Sequence, residues 1–299
     1  MTQDRILSAI AMRLASAAMF SLMNVAIKLA ERFGAGLVEI LFWRQFGASM
    51  LVVAVVASGP GFGSLRTERL PAHLLRCAVG LGAMALSFSA LLALPLAEAT
   101  TIGFSMPIFA TLLGALVLRE PTGRWRWAAV LVGFAGIVVV AQPGGDRFPL
   151  WGAALGLAGS FATAGVMILL RRIGRTEAPM TTVFWFSVLS LVPLGAGYAF
   201  LAQAHPWPVW ALMLAIGLLG GVAQLAMTGS LARGPVSVVV PMDYTSLVWA
   251  ALLGWLVFDT LPSAATSIGA PIVIASGLVI VWRERVRHAE AVRTLVPEE

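Results

Sequence analysis

A single cysteine, Cys77, stands in a chain of 299 residues. It excludes an intrachain disulfide and any cluster of thiolate metal ligands, and it reads as a small packing residue. Charge is scarce as well. Asp, Glu, Lys and Arg make up 11% of the chain, where a soluble domain carries about 25%. The three histidines, His73, His205 and His288, fall in loops or at helix ends. They form no catalytic or metal-binding motif, and no nucleophile elbow or phosphate-cradling glycine loop is present. Metal ligands do not cluster, so the sequence implies no metal and no cofactor. The apolar runs are continuous rather than alternating, which argues against membrane-spanning strands.

What fills the chain is hydrocarbon. It is 59% hydrophobic with a mean hydropathy of +0.91. A soluble core could not hide that much apolar surface, so lipid must solvate it. A spanning helix needs about 20 apolar residues, because the hydrocarbon layer is roughly 30 Å thick and each residue rises 1.5 Å. Ten such runs are predicted, at about 10–30, 37–57, 74–94, 98–118, 125–141, 150–170, 180–201, 208–231, 236–258 and 263–282. Turn formers separate them, as in SGPGFGS at 58–64, QPGGD at 142–146 and AHPWP at 204–208. Arg5, an apolar stretch and Ala15-Ser16-Ala17 resemble a signal peptide. The apolar run continues to Ile27, which favours a retained first helix.

A net charge of +6 and a pI near 10.9 raise the question of nucleic acid. The positions of the basic residues answer it. Sixteen of the twenty Lys and Arg fall on the side that holds both termini, and Lys28, Arg32 and Arg147 fall on the other. Arg44 lies inside the second run. The positive-inside rule then places both termini in the cytoplasm of a bacterial inner membrane. Membrane topology thus accounts for the basic pI, and no nucleic-acid partner is required.

The two halves repeat. IFATLLGALVL at 108–118 and VWAALLGWLVF at 248–258 match at a shift of 140, with Gly114 on Gly254 and Leu116-Val117 on Leu256-Val257. Pro95 meets Pro235 at the same shift, and Phe42-Trp43 meets Phe184-Trp185 at 142. The unit holds five helices, so an odd number inverts the second copy in the membrane. The expected fold is all-α, with ten transmembrane helices in two inverted repeats, residues 1–144 and 145–299. Inverted repeats are the architecture of alternating-access transporters, with the substrate at the midplane between the copies.

These residues bring a family into view. Asn24 in the first run, Phe42-Trp43-Arg44 in the second, SMPIFATLLGALVLREP in the fourth with Pro107 and Glu120, and LLGWLVFD closing the ninth resemble the EamA family of the drug/metabolite transporter superfamily. The likeness covers about residues 8–282, with Asp259 standing where the second repeat usually ends in Glu. It implies a secondary exporter of amino acids or similar small metabolites and a central cavity lined by helices 1, 3, 4, 6, 8 and 9. Helices 5 and 10 are then peripheral. The rival classes are a membrane-embedded enzyme, which gives no reason for an inverted repeat, and a non-transporting structural or regulatory membrane protein.

Polar residues inside the runs mark candidate sites. Ala17, Ser21, Asn24 and Lys28 form one stripe at helical spacing, and Gly217, Gly221, Gln224 and Thr228 form another. Thr100, Gly103, Pro107, Thr111 and Gly114 nearly repeat the pattern, with Ser105 beside them. Small residues on such stripes serve close helix packing. Asn24 and Gln224 carry amides that need water, substrate or a neighbour. Gly152, Gly156, Ser160 and Thr163 read as a packing face. Two charges lie deeper. Arg44 either snorkels to the outer headgroups or contacts a ligand. Asp243 is too short to snorkel; it either makes a packing hydrogen bond or faces a water-filled path, and there binds a substrate ammonium or a coupling proton. Phe104, Trp185, Tyr244 and Trp249 are candidates for an apolar cavity wall, with core or lipid packing as the alternative. Pro107 and Pro241 each remove a helical hydrogen bond, giving a static kink or a flexing point for gating. Trp125, Trp127, Trp151 and Trp207 read as interfacial anchors.

Overall fold

A computed structural model describes the chain except residues 1–2, 60, 118, 120–122, 142–148, 175 and 296–299. Ten helical stretches are long and apolar enough to cross a membrane, and no strand occurs among the described residues. The helices are α1 (Gln3–Arg32), α2 (Leu37–Ser58), α3 (Leu70–Ala93), α4 (Leu96–Gly103), α5 (Met106–Val117), α6 (Arg124–Ala141), α7 (Leu150–Ile173), α8 (Pro179–Leu201), α9 (Trp207–Arg233), α10 (Val236–Val239), α11 (Thr245–Phe258) and α12 (Ala264–Leu295). Eight spans are single helices. The fourth is α4 plus α5, and the ninth, Val240–Phe258, is a 3-10 segment Val240–Tyr244 and α11, entered through the short α10. With ten crossings the termini share one face, here termed the terminal face; the opposite one is the far face.

Both broken spans break where proline stands. Pro107 is the second residue of α5, a position where its missing N–H costs nothing. Pro241 lies inside the 3-10 segment. Just past the second break, the Thr245 hydroxyl donates to Met242 O at 2.7 Å, and that of Ser246 to Asp243 O at 2.6 Å. The kinks expected at Pro107 and Pro241 are therefore interruptions of the helix, the form that discontinuous spans take around transporter sites.

The packing has a two-fold pattern. α1 packs on α9 and α3 on α7, so exchanging the first five spans with the last five turns one contact into the other. The fifth and tenth spans, α6 and α12, pack on each other. Glycine permits the closest approaches. A Cβ on Gly47 of α2 would lie 2.5 Å from the backbone of Gly217 in α9, and one on Gly269 of α12 would lie 2.7 Å from Gly136 O in α6. In lipid, such backbone contact supplies the dispersion that holds helices together.

Chain reversals follow the same repeat. Arg119 and Asp259, 140 positions apart, both adopt φ 53°, the left-handed conformation that ends a helix. Thr260 N then donates to Gly254 O at 3.1 Å. On the far face, His205 Nε2 lies 2.9 Å from Glu39 Oε1, at the start of α2. On the terminal face, His73 Nε2 lies 2.5 Å from Glu177 Oε2, just before α8. Each repeat thus ties the start of its second span to a loop or helix start in the other repeat. Glu120 and the QPGGD turn lie outside the described residues.

Candidate functional site

A cavity of about 320 Å³ opens between the first, third, fourth, eighth and ninth spans. α1 supplies one wall, with Arg13, Ser16, Phe20, Ser21 and Asn24. Ser87 and Phe88 come from α3, Thr100 and Gly103 from α4, Met227 from α9, and Asp243 and Ser246 from the broken ninth span. Ser87 and Leu91 lie near the end of α3 and Ala99–Gly103 within α4, both toward the far face. The cavity therefore runs from Arg13, Met227 and Asp243 in the terminal half toward the far face.

Its floor is an ion pair. Arg13 Nε donates to Asp243 Oδ1 at 2.5 Å, and Arg13 Nη2 bonds Asp243 Oδ2, a two-point fork. The Arg13 side chain is 8% exposed and that of Asp243 40%. The arginine is thus packed into protein while the carboxylate faces the cavity. Arg13 Nη1 is buried with no partner.

The remaining polar lining is neutral and rich in acceptors. Ser16 donates to Ala223 O at 2.8 Å, Ser21 to Ala17 O at 2.9 Å and Thr100 to Leu96 O at 2.8 Å. Each hydroxyl proton goes to a backbone carbonyl, so these oxygens present lone pairs to an occupant. The Asn24 amide adds both donors and an acceptor. Phe20 and Phe88 supply ring surface.

The sequence candidates distribute unevenly around this cavity. Asn24 and Asp243 line it. Phe104 and Tyr244 stand behind it at the two helix breaks, edge to face with centroids 4.9 Å apart. The Tyr244 hydroxyl fills the notch left by Gly277 of α12, where a Cβ would lie 1.8 Å away. Ser105, between α4 and α5, is fully buried and its hydroxyl has no partner. Gln224 is half-buried outside the lining, next to the Ala223 carbonyl that accepts from Ser16. Trp185 is not in the cavity wall: its indole donates to Leu65 O at 2.9 Å and borders a groove on the terminal face with Arg66, Arg69 and Glu177. Trp249 points outward and is 38% exposed. Arg44 does not snorkel and does not meet Asp243. It is 9% exposed and packs against Gly220, the middle residue of α9. The sixth span adds no lining residue. Gly156 and Gly159 seat it against Ile102 and Ser87, and Ser160 bonds Ile102 O, which is the packing face read from the sequence.

Sequence reasoning missed Arg13, Ser16, Ser87 and Thr100 as lining residues. Arg13 had a signal. The stripe Ala17–Ser21–Asn24–Lys28 reaches it when extended back one turn. Lys28, at the far end of that stripe, donates to the Leu91 and Leu94 carbonyls at 2.7 Å each and so caps α3.

Comparison with known proteins bears on this architecture. A model of the EamA-like transporter family matches residues 7–142 and again 150–282. The chain belongs to the EamA-like transporter family. A riboflavin transporter of Rhizobium johnstonii is 30% identical over 273 residues, covering 90% of this chain and 89% of that protein. The pseudopaline exporter CntI of Pseudomonas aeruginosa is 24% identical over 281 residues, covering 94% and 98%. A solved crystal structure at 22% identity shares the fold, with a TM-score of 0.63 over 93% of this chain and 98% of that one. This EamA member is thus a multi-pass membrane transporter rather than a membrane-embedded enzyme.

Proposed function

We propose that this EamA protein is a secondary transporter of the bacterial inner membrane that moves a small metabolite by alternating access. Its repeats, 1–144 and 145–299, would rock about the central cavity, with both termini in the cytoplasm as the arginine asymmetry indicates. One observation carries the reading. The Arg13–Asp243 pair closes one end of a cavity built from both repeats, and one partner belongs to a helix broken at that point. In this reading the pair is the terminal-face gate, and opening that face separates α1 from the ninth span.

The acceptor-rich, ring-bearing lining suits an uncharged substrate that carries hydroxyl or N–H donors and an aromatic system. Riboflavin, the substrate named for the Rhizobium relative, has that chemistry. A second reading has its own observation. An amino acid could exchange into the gate, its carboxylate on Arg13 and its ammonium on Asp243, in keeping with the exporter of amino acids that the sequence resemblance implies. Asp243 is then the ammonium site or, with a neutral substrate, the carrier of a coupling proton.

Flux of labelled riboflavin and labelled amino acids into proteoliposomes of both orientations tests this. Saturable riboflavin flux supports the first reading, and amino-acid flux without riboflavin flux selects the second. Net movement out of the cytoplasmic compartment supports export. No flux across a broad metabolite panel overturns the transport mechanism assigned to this cavity.

A further inference from the structure

Arg44 of α2 and Arg76 of α3 lie inside the helix bundle, outside the lining of the central cavity. Arg44 is about nine-tenths buried. Its Nη1 donates to Gln45 Oε1 at 2.5 Å, while its Nε has no partner. Arg76 leaves Nε and Nη1 buried and unpartnered, and Gln45 leaves Nε2 in the same condition. Among the described residues, no carboxylate forms an ion pair with either arginine. Ser49, one turn on from Gln45, donates its hydroxyl to Ser187 O at 3.0 Å, and the adjacent Phe186 carries the Arg76 guanidinium, so the Arg44–Gln45 turn and Arg76 meet the same stretch of α8.

The fold holds both in place rather than letting them reach for water. Arg76 Nη1 lies 2.9 Å from where a Cβ on Gly80 would stand, so the side chain runs along α3 toward the middle of the span and not back to the terminal face. Its guanidinium carbon sits 3.6 Å from the centroid of the Phe186 ring. Stacking fixes the guanidinium plane and leaves its N–H edges free to meet oxygens lying in that plane. Arg44 Cγ and Nε pack against Gly220, where a Cβ would lie 3.5 Å from each. Glycine thus clears the space beside both guanidiniums. Arginine does not shed its charge in a protein, and a buried charge without a counter-charge is costly. Four unpaired donors and two uncompensated cations specify what is missing.

We propose that Arg44, Arg76 and the Gln45 amide form a binding site for one small oxyanion of the carboxylate or phosphate class, separate from the central cavity. A free ion is the occupant. Gly220 is the fourteenth of the 27 residues of α9, a depth that lipid headgroups do not reach. The site does not depend on the transport reading, because its occupancy is measured by binding and not by flux.

The test uses purified, delipidated full-length protein in dodecyl maltoside, titrated with inorganic phosphate or acetate against sodium chloride at equal ionic strength. Thermal stability and the fluorescence of Trp43 and Trp185 are the readouts. A saturable rise in Tm with either ion is expected. Arg44→Gln and Arg76→Gln should each weaken apparent affinity about tenfold or more, the size of one lost charge-assisted hydrogen bond. Arg76→Lys keeps the charge but not the planar edge, and should fall between. If the Gln variants fail to fold, the Lys variant carries the test. No saturable response in the wild type overturns the proposal, as does an unchanged affinity in the variants. A response that requires anionic phospholipid and is absent with the free ions overturns it in favour of lipid.

Discussion

The sharpest consequence of the cavity geometry is an asymmetry between the two ends of the Arg13–Asp243 pair. Removing a partner from a fully buried pair costs about 3–5 kcal/mol, and from an exposed one about 0–1 kcal/mol. Arg13 is packed at 8% exposure while Asp243 stands 40% exposed to the cavity. Asp243→Asn strands the buried arginine and should cost about 2 kcal/mol. Arg13→Gln leaves a carboxylate that cavity water can solvate and should cost clearly less. For a chain of this size the first loss corresponds to a Tm drop on the order of 4 °C. The double variant should recover most of it, since it leaves no stranded charge. Fluorescence-monitored thermal unfolding of the four proteins in one detergent gives the cycle. Equal single losses that add in the double variant would refute the coupling and the gate reading with it.

The same substitution separates the roles proposed for Asp243. If it binds a substrate ammonium, Asp243→Asn should lose affinity for amines and spare neutral substrates. If it carries a proton, the variant should still exchange substrate for substrate but lose its response to a pH gradient. Wild-type affinity, selectivity and pH dependence would return Asp243 to helix packing.

Two further outcomes are expected. Burial pushes the Glu177 carboxyl upward, but hydrogen bonds from Thr67 and His73 and the charges of His73 and Arg69 outweigh it and hold it below the ordinary carboxylate range. Its clamp should contribute full stability above about pH 4.3 and lose it as pH falls through the depressed native value; the Tm gap between wild type and Glu177→Gln should therefore close on acidification, and a gap that stays constant from pH 7 to pH 3 would contradict this. A reporter fused after Glu299 and a cysteine placed at Gly145 should report opposite sides of the membrane, and both reporting from the cytoplasm would break the ten-span topology.

The spans were legible because hydrocarbon thickness imposes one length on every crossing. Their ends were less so. α1 begins at Gln3 rather than near residue 10, and α12 runs to Leu295 rather than 282. An apolar window stops at the first charges, whereas a helix continues into water as long as its backbone bonds close. The two breaks were marked by Pro107 and Pro241, since proline removes a donor wherever it stands. The left-handed turn at Arg119 carried no such mark, because neither arginine nor its neighbours favour that conformation.

Charges inside the bilayer were easy to find and hard to pair. Asp243 stands out by cost alone, but its partner is 230 residues away and reads from the sequence as an interfacial arginine, because the apolar run opens only three residues before it. Arg13 is buried by protein: α1 packs there on α9 and on the broken ninth span, which leaves the residue 6% exposed. Those contacts turn a surface charge into a buried one. Arg44 shows the converse. Sequence placed it correctly inside the second span, and its length suggested escape to the headgroups. A glycine on another helix, Gly220, offers it a closer resting place near the middle of the bilayer. Periodicity reports which face of one helix is polar, but the partner of a charge depends on which helices meet and at what height. In this fold those contacts run between the repeats, α1 against α9 and α3 against α7, beyond the reach of any local pattern.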